Sequence, residues 1–241
     1  MNNTLNFLHL KNTPIFKQLQ IEEALLRLTQ ENWCIVNEKA PSSIVMGISG
    51  KIQEHINLEK LKTTPIPLIK RYSGGGTVIV DANTLFVSFV FQKKSHDFPC
   101  YPQPILQWSE TLYKEALDIP HFHLRENDYV IGDDKCGGNA QYIQKERFVH
   151  HTTFLWDFDS KMMEFLLHPP KTPEYRKGRS HDAFLSRLKE FLPSKEDFFH
   201  RLKKTLSSRY QLKDASLNSL LPLLNQSHRK ATTLITSHQE Y

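Results

Sequence analysis

Three segments of the chain place glycines or histidines beside charged and polar side chains, in patterns that suit anion binding or acid–base chemistry. The first is the run Arg71-Tyr72-Ser73-Gly74-Gly75-Gly76-Thr77-Val78-Ile79-Val80, which holds three of the nine glycines. Consecutive glycines have no Cβ, so backbone N–H groups can approach a ligand closely and point at an anion. The guanidinium of an arginine at the base of the loop suits two-point contact with phosphate or carboxylate. A flexible hairpin turn is the alternative interpretation of the glycines alone.

The second segment carries a lysine beside a glycine pair. It runs from Asn127 and Asp128 through Lys135 to Gly137 and Gly138. A lysine in this setting can place a compact positive charge on a developing oxyanion or on a phosphate. The alternative is an ordinary acidic β-turn that ends in a solvated lysine.

Adjacent histidines mark the third segment, His150-His151-Thr152-Thr153, inside a predicted strand. Neighbouring side chains of a strand point to opposite faces, so the two imidazoles are a poor pair for one metal ion. A lone buried histidine is more often structural than catalytic. Since no cysteine or carboxylate cluster lies nearby in sequence, we predict no metal ligands.

The elements that must position these segments mix strands and helices. Apolar spacing predicts helices at 15–30, 51–62 and 103–118, and further helices after residue 161. Predicted strands cover 33–37, 43–49, 65–71, 77–80, 84–91, 128–131 and 147–158. Because strands follow one another without strict strand–helix alternation, we predict an α+β fold with a mixed or antiparallel β-sheet flanked by helices. The Pro-rich stretch 168–176 suggests a catalytic domain over 1–168 and a helical C-terminal extension over 169–241, packed on the same domain.

Composition narrows the function classes. The 241 residues are 39% hydrophobic and include 15 Phe, which argues for one large folded domain and against disorder. Three cysteines without a CxxC pair favour a reducing compartment, and the N-terminus does not resemble a signal peptide. We therefore expect a cytoplasmic protein with no membrane partner. The net charge of +5 suits a phosphorylated ligand or an acidic partner, but no nucleic-acid motif accompanies it.

In order and spacing, the three segments resemble the lipoate–protein ligase family of the biotin/lipoate A/B protein ligase superfamily. The family's Arg-x-Ser-Gly-Gly-Gly loop corresponds to Arg71 and 73–76, its Asn-Asp pair to 127–128, and its lysine to Lys135. Its His-His-Gly-Thr strand corresponds to 150–153, and its Ala-x-Glu-Glu helix is similar to 21–24. The resemblance covers about residues 15–160 and implies the class II synthetase-like fold of this catalytic domain.

The resemblance implies a two-step reaction. Lipoate, or octanoate, first reacts with ATP, assisted by Mg²⁺, to give an acyl-adenylate and pyrophosphate; the acyl group then passes to a lysine of a carrier domain. Lys135 is the implied catalytic residue. The substrate- and ATP-binding residues carried over are Arg71, Ser73, Gly74, Gly75, Gly76, Thr77, Val78, Ile79, Asn127, Asp128, Gly137, Gly138 and His151. The implied partners are lipoyl domains of 2-oxoacid dehydrogenase complexes or the glycine cleavage H protein.

The sequence departs from the family pattern at three points. Val80 replaces the family's histidine before Asp81, and Thr152 replaces the glycine of His-His-Gly, a change expected to narrow or reshape the pocket. The chain also resembles a short form without the C-terminal domain that assists adenylation. This third departure bears on the first step and suggests either a separate accessory protein or transfer of an acyl group that is already activated.

Two other functions stay open on the residues. An octanoyl transferase would use a cysteine nucleophile, for which the candidates are Cys136 beside Lys135 and the more remote Cys34 and Cys100. A non-catalytic acyl-binding module would bind lipoate or its adenylate without forming AMP, and it would not need Lys135. Biotin ligase is disfavoured, because the Gly-Arg-Gly-Arg loop of that branch is absent.

Overall fold

The computed structural model describes residues 3–168 and 173–235. Its strands are β1 (Thr4–Lys11), β2 (Asn32–Glu38), β3 (Ser43–Met46), β4 (Leu68–Lys70), β5 (Val78–Val80), β6 (Thr84–Gln92), β7 (Phe122–Arg125), β8 (Asp128–Ile131), β9 (Asp134–Ile143), β10 (Arg147–Leu155), β11 (Gln211–Ala215) and β12 (Thr233–Ile235). Its helices are α1 (Ile15–Leu28), α2 (Ile52–His55), α3 (Leu58–Thr63), α4 (Pro102–Leu117), α5 (Ser160–Met163), α6 (His181–Phe184), α7 (Lys195–Arg209) and α8 (Leu217–Leu224). Short 3₁₀ turns lie at Lys93–Ser95, Glu174–Arg176 and Leu188–Glu190.

Local sequence explains where the long helices begin and end. Helix α1 follows Pro14, and α4 has Pro102 at its first position, where the missing N–H would have no intrahelical partner. Helix α4 ends at Asp118, which adopts a left-handed conformation with φ of 51°. Helix α7 begins after Ser194, whose Oγ accepts a hydrogen bond from the Asp197 backbone N–H at 3.0 Å.

Eight strands form one mixed sheet in the order β11-β1-β2-β6-β10-β9-β8-β7. Strand β1 pairs parallel with β2 and β11, and the other neighbours pair antiparallel. Alternate side chains of the central strands enter different cores. On β6, Phe89 belongs to the core that includes α4 and α7, whereas Val90 belongs to the core that includes α1. Each helical layer thus buries its apolar side against one face of the sheet.

Four shorter strands form a second sheet in the order β12-β4-β3-β5. One of its faces shares the core of α1 through Val45 and Ile69, and the other packs around Phe165. The glycine run connects β4 to β5, so this small sheet holds both ends of the glycine loop. The small sheet therefore fixes the loop relative to α1 and to the large sheet behind it.

This architecture confirms the predicted α+β class with a mixed sheet flanked by helices. The helices predicted at 15–30 and 103–118 are present as α1 and α4, and the strand predicted at 84–91 is β6. The sequence did not predict β1, β7, β9, β11 or β12. Strand β9 matters most for function, because it carries Lys135 and the glycine pair on the large sheet and not in a free turn.

The C-terminal extension predicted as helical also contributes strands. Within residues 173–235, helices α6, α7 and α8 are present, but β11 pairs with β1 of the large sheet and β12 pairs with β4 of the small sheet, so the extension is not helical throughout. The extension is also tied to α1, because the Glu23 carboxylate accepts backbone hydrogen bonds from Ala231 and Thr232 at 3.0 and 2.9 Å. The predicted division at residue 168 stays a prediction, and 169–172 and 236–241 lie outside the described residues.

Within the described ranges, no helix combines the length and apolar character that a membrane span requires.

Candidate active site

A cavity of about 630 Å³ opens where the glycine loop faces strands β8 and β9. Helices α1 and α4 and residues 173–185 contribute further lining. Most of the predicted site residues share this wall. They are Arg71, Gly74, Gly75, Gly76, Thr77, Val78, Ile79, Asn127, Asp128, Lys135, Gly138 and His151. The structure therefore brings the glycine loop, the lysine segment and one of the two histidines to one place.

Arg71 holds the glycine loop in shape. Its Nη2 donates to the carbonyl oxygens of Gly74 and Gly76 at 2.7 and 2.8 Å, and its Nε donates to Ser73 Oγ at 3.1 Å. Burial lowers the pKa of Arg71 to about 10, which leaves the guanidinium charged at neutral pH. Although Arg71 lines the cavity, these donors are used by the loop itself. The geometry therefore gives Arg71 a structural role in the loop, and the ligand contact predicted for it from the sequence stays a prediction.

The glycines leave room on the cavity side of the loop. Gly75 has a φ of +98°, and a Cβ there would lie 2.8 Å from Arg71 Nη2, so a larger residue would disrupt the scaffold. At Gly74 and Gly76, a Cβ would meet no atom within 4 Å. The Thr77 Oγ1 atom beside them is buried and has no hydrogen-bond partner in the described structure. The loop thus leaves open space beside Gly74 and Gly76, and the neighbouring Thr77 hydroxyl has no partner within the described structure.

Lys135 is held on β9 by an ion pair. Its Nζ lies 2.8 Å from Asp128 Oδ1, and the other carboxylate oxygen of Asp128 accepts a hydrogen bond from the Tyr175 hydroxyl at 2.8 Å. A Cβ at Gly138 would come within 3.3 Å of Lys135 Nζ, so this glycine makes space for the amine. The side chain of Lys135 is 25% exposed, which leaves it accessible from the cavity.

The loop and the lysine strand approach each other closely. A Cβ at Gly75 would lie 3.4 Å from the Ala140 Cβ and 3.5 Å from the Asn139 carbonyl oxygen. Both residues belong to β9, the strand of Lys135. A fixed amine therefore shares a narrow cleft with an exposed stretch of backbone, an arrangement that can stabilise negative charge on a bound group.

A buried hydrogen-bond chain orients His151. Its Nε2 lies 2.8 Å from Ser73 Oγ and its Nδ1 lies 3.0 Å from Glu22 Oε2, while Tyr72 and Ser88 donate to the same carboxylate. Burial alone would raise the pKa of Glu22, but His151 and the donated hydrogen bonds hold it below the ordinary value. The order serine–histidine–carboxylate resembles a hydrolytic triad. Here, however, Ser73 is fully buried and is absent from the cavity wall, so the chain positions His151.

The neighbouring histidine faces the other core, as the strand prediction required. His150 is fully buried, with Nδ1 3.2 Å from Gln141 Nε2. Thr152, the residue at the family's glycine position, lies on the same side as His150. Its Oγ1 donates to Asn139 Oδ1 at 2.7 Å and accepts from the Tyr113 hydroxyl at 3.2 Å. Thr152 therefore contacts Asn139, a residue of the cavity wall, but does not itself line the cavity.

Two predicted site residues do not reach the cavity. Ser73 lies behind the loop, and Gly137 faces the core, where a Cβ would come within 2.9 Å of the Phe154 ring. Gly137 is thus needed for packing between β9 and β10. A direct ligand contact for either residue stays a prediction that this geometry does not support.

The sequence reasoning missed several wall residues. Glu22 had a detectable signal, since it is a carboxylate inside the apolar stripe of α1, between Leu19 and Leu25. Arg176 and the apolar residues Phe184 and Leu185 had none, because the chain folds back onto β9 over a long separation. Ser186 donates its backbone N–H to the Lys135 carbonyl oxygen at 2.8 Å, which holds this returning segment against the lysine strand.

Neither a thiol nor a carboxylate cluster adds further reactive groups. Cys34, Cys100 and Cys136 are free and buried, and none lines the cavity. Burial raises the pKa of the Cys136 thiol, and its Sγ faces the Tyr129 carbonyl oxygen at 3.4 Å. In the described part of the chain, no group of three or more His, Cys, Asp or Glu side chains could hold a metal ion.

Comparison with known proteins identifies the family. The sequence model of the lipoyl protein ligase A/B catalytic domain matches residues 14–207, which is most of the chain. The chain belongs to this family. The match includes the glycine loop, the lysine segment and the histidine strand, so the resemblance inferred from the motifs is confirmed.

Curated members of the lipoyl ligase family are similar over part of their length. A Plasmodium falciparum protein named inactive lipoate–protein ligase 2 is 32% identical over 247 residues, covering 78% of this chain and 64% of that protein. The Bacillus subtilis lipoate–protein ligase LplJ is 29% identical over 157 residues, covering 64% of this chain and 46% of that protein. The chain thus spans less than two thirds of the length of either relative.

Solved structures of lipoyl ligases share the fold. A bipartite lipoate protein ligase from Thermoplasma acidophilum, studied with its E2 lipoyl domain, superposes with a TM-score of 0.75 at 20% identity and covers 93% of this chain and 91% of its own. A lipoate–protein ligase A bound with ATP gives a TM-score of 0.74 at 18% identity and covers 93% of both chains. At these identities the likeness establishes the fold.

Proposed function

We propose that the chain is a lipoate–protein ligase that activates lipoate or octanoate with ATP and transfers the acyl group to a lysine of a lipoyl carrier domain. The observation that carries this proposal is the placement of Lys135 and the glycine loop on the walls of one cavity. ATP and lipoic acid are bound in solved structures of related folds. The three free cysteines suit a reducing compartment, so we propose that the reaction takes place in the cytoplasm.

The first half-reaction forms a mixed anhydride. A carboxylate oxygen of the acid bonds to the α-phosphorus of ATP, the bond from that phosphorus to the β-phosphate oxygen breaks, and pyrophosphate leaves. Negative charge grows on the phosphate oxygens, close to where the Lys135 amine and the loop N–H groups can stabilise it. The acyl tail would lie against apolar wall residues such as Leu19, Phe86 and Val45. Each buried methylene contributes about 0.8 kcal/mol.

The second half-reaction transfers the acyl group. The carrier lysine attacks the acyl carbon through its neutral amine, the bond from that carbon to the phosphate oxygen breaks, and AMP leaves as the nitrogen loses a proton. Lys135 stabilises the oxyanion on the acyl carbonyl and the charge on the departing AMP. The T. acidophilum ligase was studied with an E2 lipoyl domain. Lipoyl domains of 2-oxoacid dehydrogenases and the glycine cleavage H protein are the proposed partners here.

Mg²⁺ would accompany ATP as the charge-neutralising ion of the polyphosphate. In proteins, this ion is usually held by one or two carboxylates together with phosphate oxygens and water. Glu126 and Asp128 are carboxylates on the cavity wall. Asp128 already pairs with Lys135 and accepts a hydrogen bond from the Tyr175 hydroxyl, whereas Glu126 accepts one long hydrogen bond from the Tyr175 backbone N–H at 3.4 Å, so Glu126 keeps more acceptor capacity for a nucleotide-bound ion.

A second candidate function is transfer from an adenylate made elsewhere, by or with an accessory protein. The observation that favours it is the bipartite make-up of the T. acidophilum lipoate protein ligase, whose matched chain has a similar fold and is 91% covered by this one. The P. falciparum relative carries the word inactive in its name. Such a chain would retain the second half-reaction, which uses Lys135 and the carrier amine.

The cysteine-dependent transferase is disfavoured by the burial of all three thiols away from the cavity. A non-catalytic acyl-binding module is disfavoured by the partly exposed Lys135 amine, which acyl binding alone does not require.

Two parallel reactions test the proposal. In the first, the purified chain is mixed with ATP, Mg²⁺, lipoate and a lipoyl domain; in the second, synthetic lipoyl-adenylate replaces ATP and lipoate. The intact mass of the lipoyl domain reports transfer, and AMP is measured in both. Modification in both reactions supports the full ligase, and modification only in the second supports transfer alone. Modification in neither reaction contradicts both candidates.

A further inference from the structure

Arg176 is a buried arginine on the cavity wall that no motif predicted. It ends the 3₁₀ turn Glu174–Arg176 and is only 4% exposed. Its guanidinium lies over the Phe184 ring, 5.1 Å from the ring centroid, and both residues line the cavity. A cation is therefore held against an aromatic face at the edge of the candidate active site.

The guanidinium of Arg176 is only partly used by the protein. Its Nε donates to the Arg179 carbonyl oxygen at 3.0 Å, but Nη2 is buried without a hydrogen-bond partner. Among the described residues, no carboxylate comes within ion-pair distance of this side chain. Arg179, three residues later, is fully engaged: its Nη1 donates to Asp134 Oδ1 at 2.6 Å and its Nη2 to the Asp133 carbonyl oxygen at 2.8 Å.

A buried charge without a counter-charge is costly unless a partner arrives. Burial lowers the pKa of the Arg176 guanidinium, but arginine stays protonated at neutral pH. The missing partner must be an anion small enough to enter the cavity, and phosphate oxygens match the planar fork of a guanidinium.

Arg176 is physically connected to Lys135. The preceding residue, Tyr175, donates its hydroxyl to Asp128 Oδ2 at 2.8 Å, and Asp128 Oδ1 pairs with Lys135 Nζ at 2.8 Å. Leu185, next to Phe184, forms a parallel bridge with Lys135. The turn that presents the guanidinium is therefore anchored from two directions to the residue proposed to stabilise the reacting centre.

We propose that Arg176 binds the phosphate group that joins the acyl group to adenosine in the acyl-adenylate. This inference rests on the proposed function, because it assigns a residue to the intermediate of that reaction. Activation removes the carboxylate charge of the acid, whereas the phosphate of the adenylate keeps one negative charge. A permanent cation at this point holds the intermediate until the carrier lysine arrives. The α-phosphate of ATP offers the same chemistry, so the two ligands must be compared.

The test measures ligand affinities by isothermal titration calorimetry. The ligands are a stable lipoyl-adenylate analogue in which a methylene replaces the acyl carbonyl and the charged phosphate is kept, ATP with Mg²⁺, adenosine, and lipoate. The proteins are the unaltered chain, Arg176→Gln, Arg176→Lys and the control Lys177→Gln, which removes one exposed positive charge from the adjacent position. Lipoate binding also reports whether each variant keeps a folded site.

We expect Arg176→Gln to lower the affinity for the analogue at least tenfold and to change the affinities for adenosine and lipoate by no more than twofold. The affinity of Arg176→Lys for the analogue should lie between those of the unaltered chain and Arg176→Gln, since lysine keeps the charge but lacks the planar guanidinium. Lys177→Gln should bind the analogue as tightly as the unaltered chain. Equal binding of the analogue by Arg176→Gln and the unaltered chain overturns the inference alone. An effect on ATP without an effect on the analogue also overturns it. Failure of the unaltered chain to bind the analogue at all overturns the proposed function together with it.

Discussion

Two buried arginines line the same cavity, yet the protein uses them in opposite ways. On one wall, Arg71 is 5% exposed and donates to Ser73 Oγ and to the carbonyl oxygens of Gly74 and Gly76. On the other, Arg176 is 4% exposed and keeps a buried Nη2 without a partner in the described residues. The exposed fractions are nearly the same, but Nε and Nη2 of Arg71 both donate within the glycine loop, whereas Arg176 donates through Nε to the Arg179 carbonyl oxygen and leaves Nη2 without a partner.

The difference shows that a glycine-rich loop does not by itself supply the charge for an anion. The wall formed by Arg71 and residues 74–79, which we call the shape wall, fixes the form of the cavity, because Arg71 is needed to hold three flexible glycines in one conformation. The opposite wall, which we call the charge wall, provides positive charge. Lys135 lies on β9, and Arg176 lies on the segment that returns to β9. We expect substitutions on the two walls to differ in the same way, changing stability on the first and ligand charge recognition on the second.

The largest expected effect is loss of catalysis on the charge wall. Lys135→Ala should lower the rate of acyl transfer from lipoyl-adenylate at least 100-fold, because one preorganised donor to a developing oxyanion is typically worth that much. The unfolding temperature should also fall, because the buried Asp128 carboxylate loses its ion pair and keeps only the hydrogen bond from the Tyr175 hydroxyl, so the rates are compared at a temperature where both chains are folded. Single-turnover transfer to a lipoyl domain, followed by intact mass, measures the rate. Lys177→Gln serves as the matched charge control. A Lys135→Ala chain that transfers within fivefold of the unaltered rate would remove Lys135 from the mechanism.

On the shape wall, Arg71→Lys should reduce stability as well as binding. A lysine keeps the charge but cannot reach two carbonyls and a hydroxyl together, so buried acceptors lose their partners at a cost of about 1–3 kcal/mol. For a chain of this size, we expect the unfolding temperature to fall by roughly 2–10 °C. Differential scanning calorimetry measures this fall.

Arg176→Lys gives the matched comparison for Arg71→Lys. The Nη2 atom of Arg176 has no protein partner to lose. The unfolding temperature of Arg176→Lys should therefore fall by less than half of the decrease expected for Arg71→Lys. Equal destabilisation by the two substitutions would mean that both walls serve the fold, and the contrast between them would be wrong.

The sequence predicted the local motifs of both walls but not the elements that bring these motifs together. The glycine run, Lys135 and His151 are local patterns, and all of them reach the cavity. Strand β9 was missed because its glycines and polar residues weaken the strand pattern. It is stabilised by pairing with β8 and β10, which no local window contains.

Long sequence separation hid the remaining features. Leu185 meets Lys135 across 50 positions, and β11 pairs with β1 from the opposite end of the chain. Arg176 and Arg179 look equivalent in sequence as two members of one basic stretch. Only the fold distinguishes the one that meets Asp134 from the one that meets the cavity.

A smaller effect, on the pH dependence of stability, is expected at His150, which lies on the opposite face of β10 from His151 of the cavity wall. Burial, with a contribution from His151, lowers the pKa of His150 to about 3 from an ordinary 6.5. The folded chain therefore keeps His150 neutral while the unfolded chain binds a proton below pH 6.5. Its stabilising contribution is complete above pH 6.5 and is lost progressively as the pH falls toward 3.

Urea unfolding between pH 7.5 and 4.5 tests the histidine prediction. Relative to the unaltered chain, His150→Gln should be less stable at pH 7.5 but should lose less stability as the pH falls. His200→Gln, which removes an exposed imidazole from α7, should keep the pH dependence of the unaltered chain. Parallel curves for the unaltered chain and His150→Gln would show that His150 does not resist protonation.

The smallest expected effect is at the thiol of Cys136, next to Lys135. Cys136 is adjacent to Lys135 on β9, so its side chain points to the opposite face of the sheet, where it is fully buried and contacts the Tyr129 carbonyl oxygen. Burial raises the pKa of the thiol, which disfavours the thiolate that a nucleophile requires. Cys136→Ala should therefore leave the rate of acyl transfer within twofold, with a loss of stability on the order of 1 kcal/mol. Intact mass after incubation with octanoyl-carrier protein should show no acyl adduct on the unaltered chain. An adduct that disappears in Cys136→Ala would mean that the Cys136 thiol becomes accessible and reactive in solution. A mechanism through a cysteine thioester would then replace the mechanism through an acyl-adenylate.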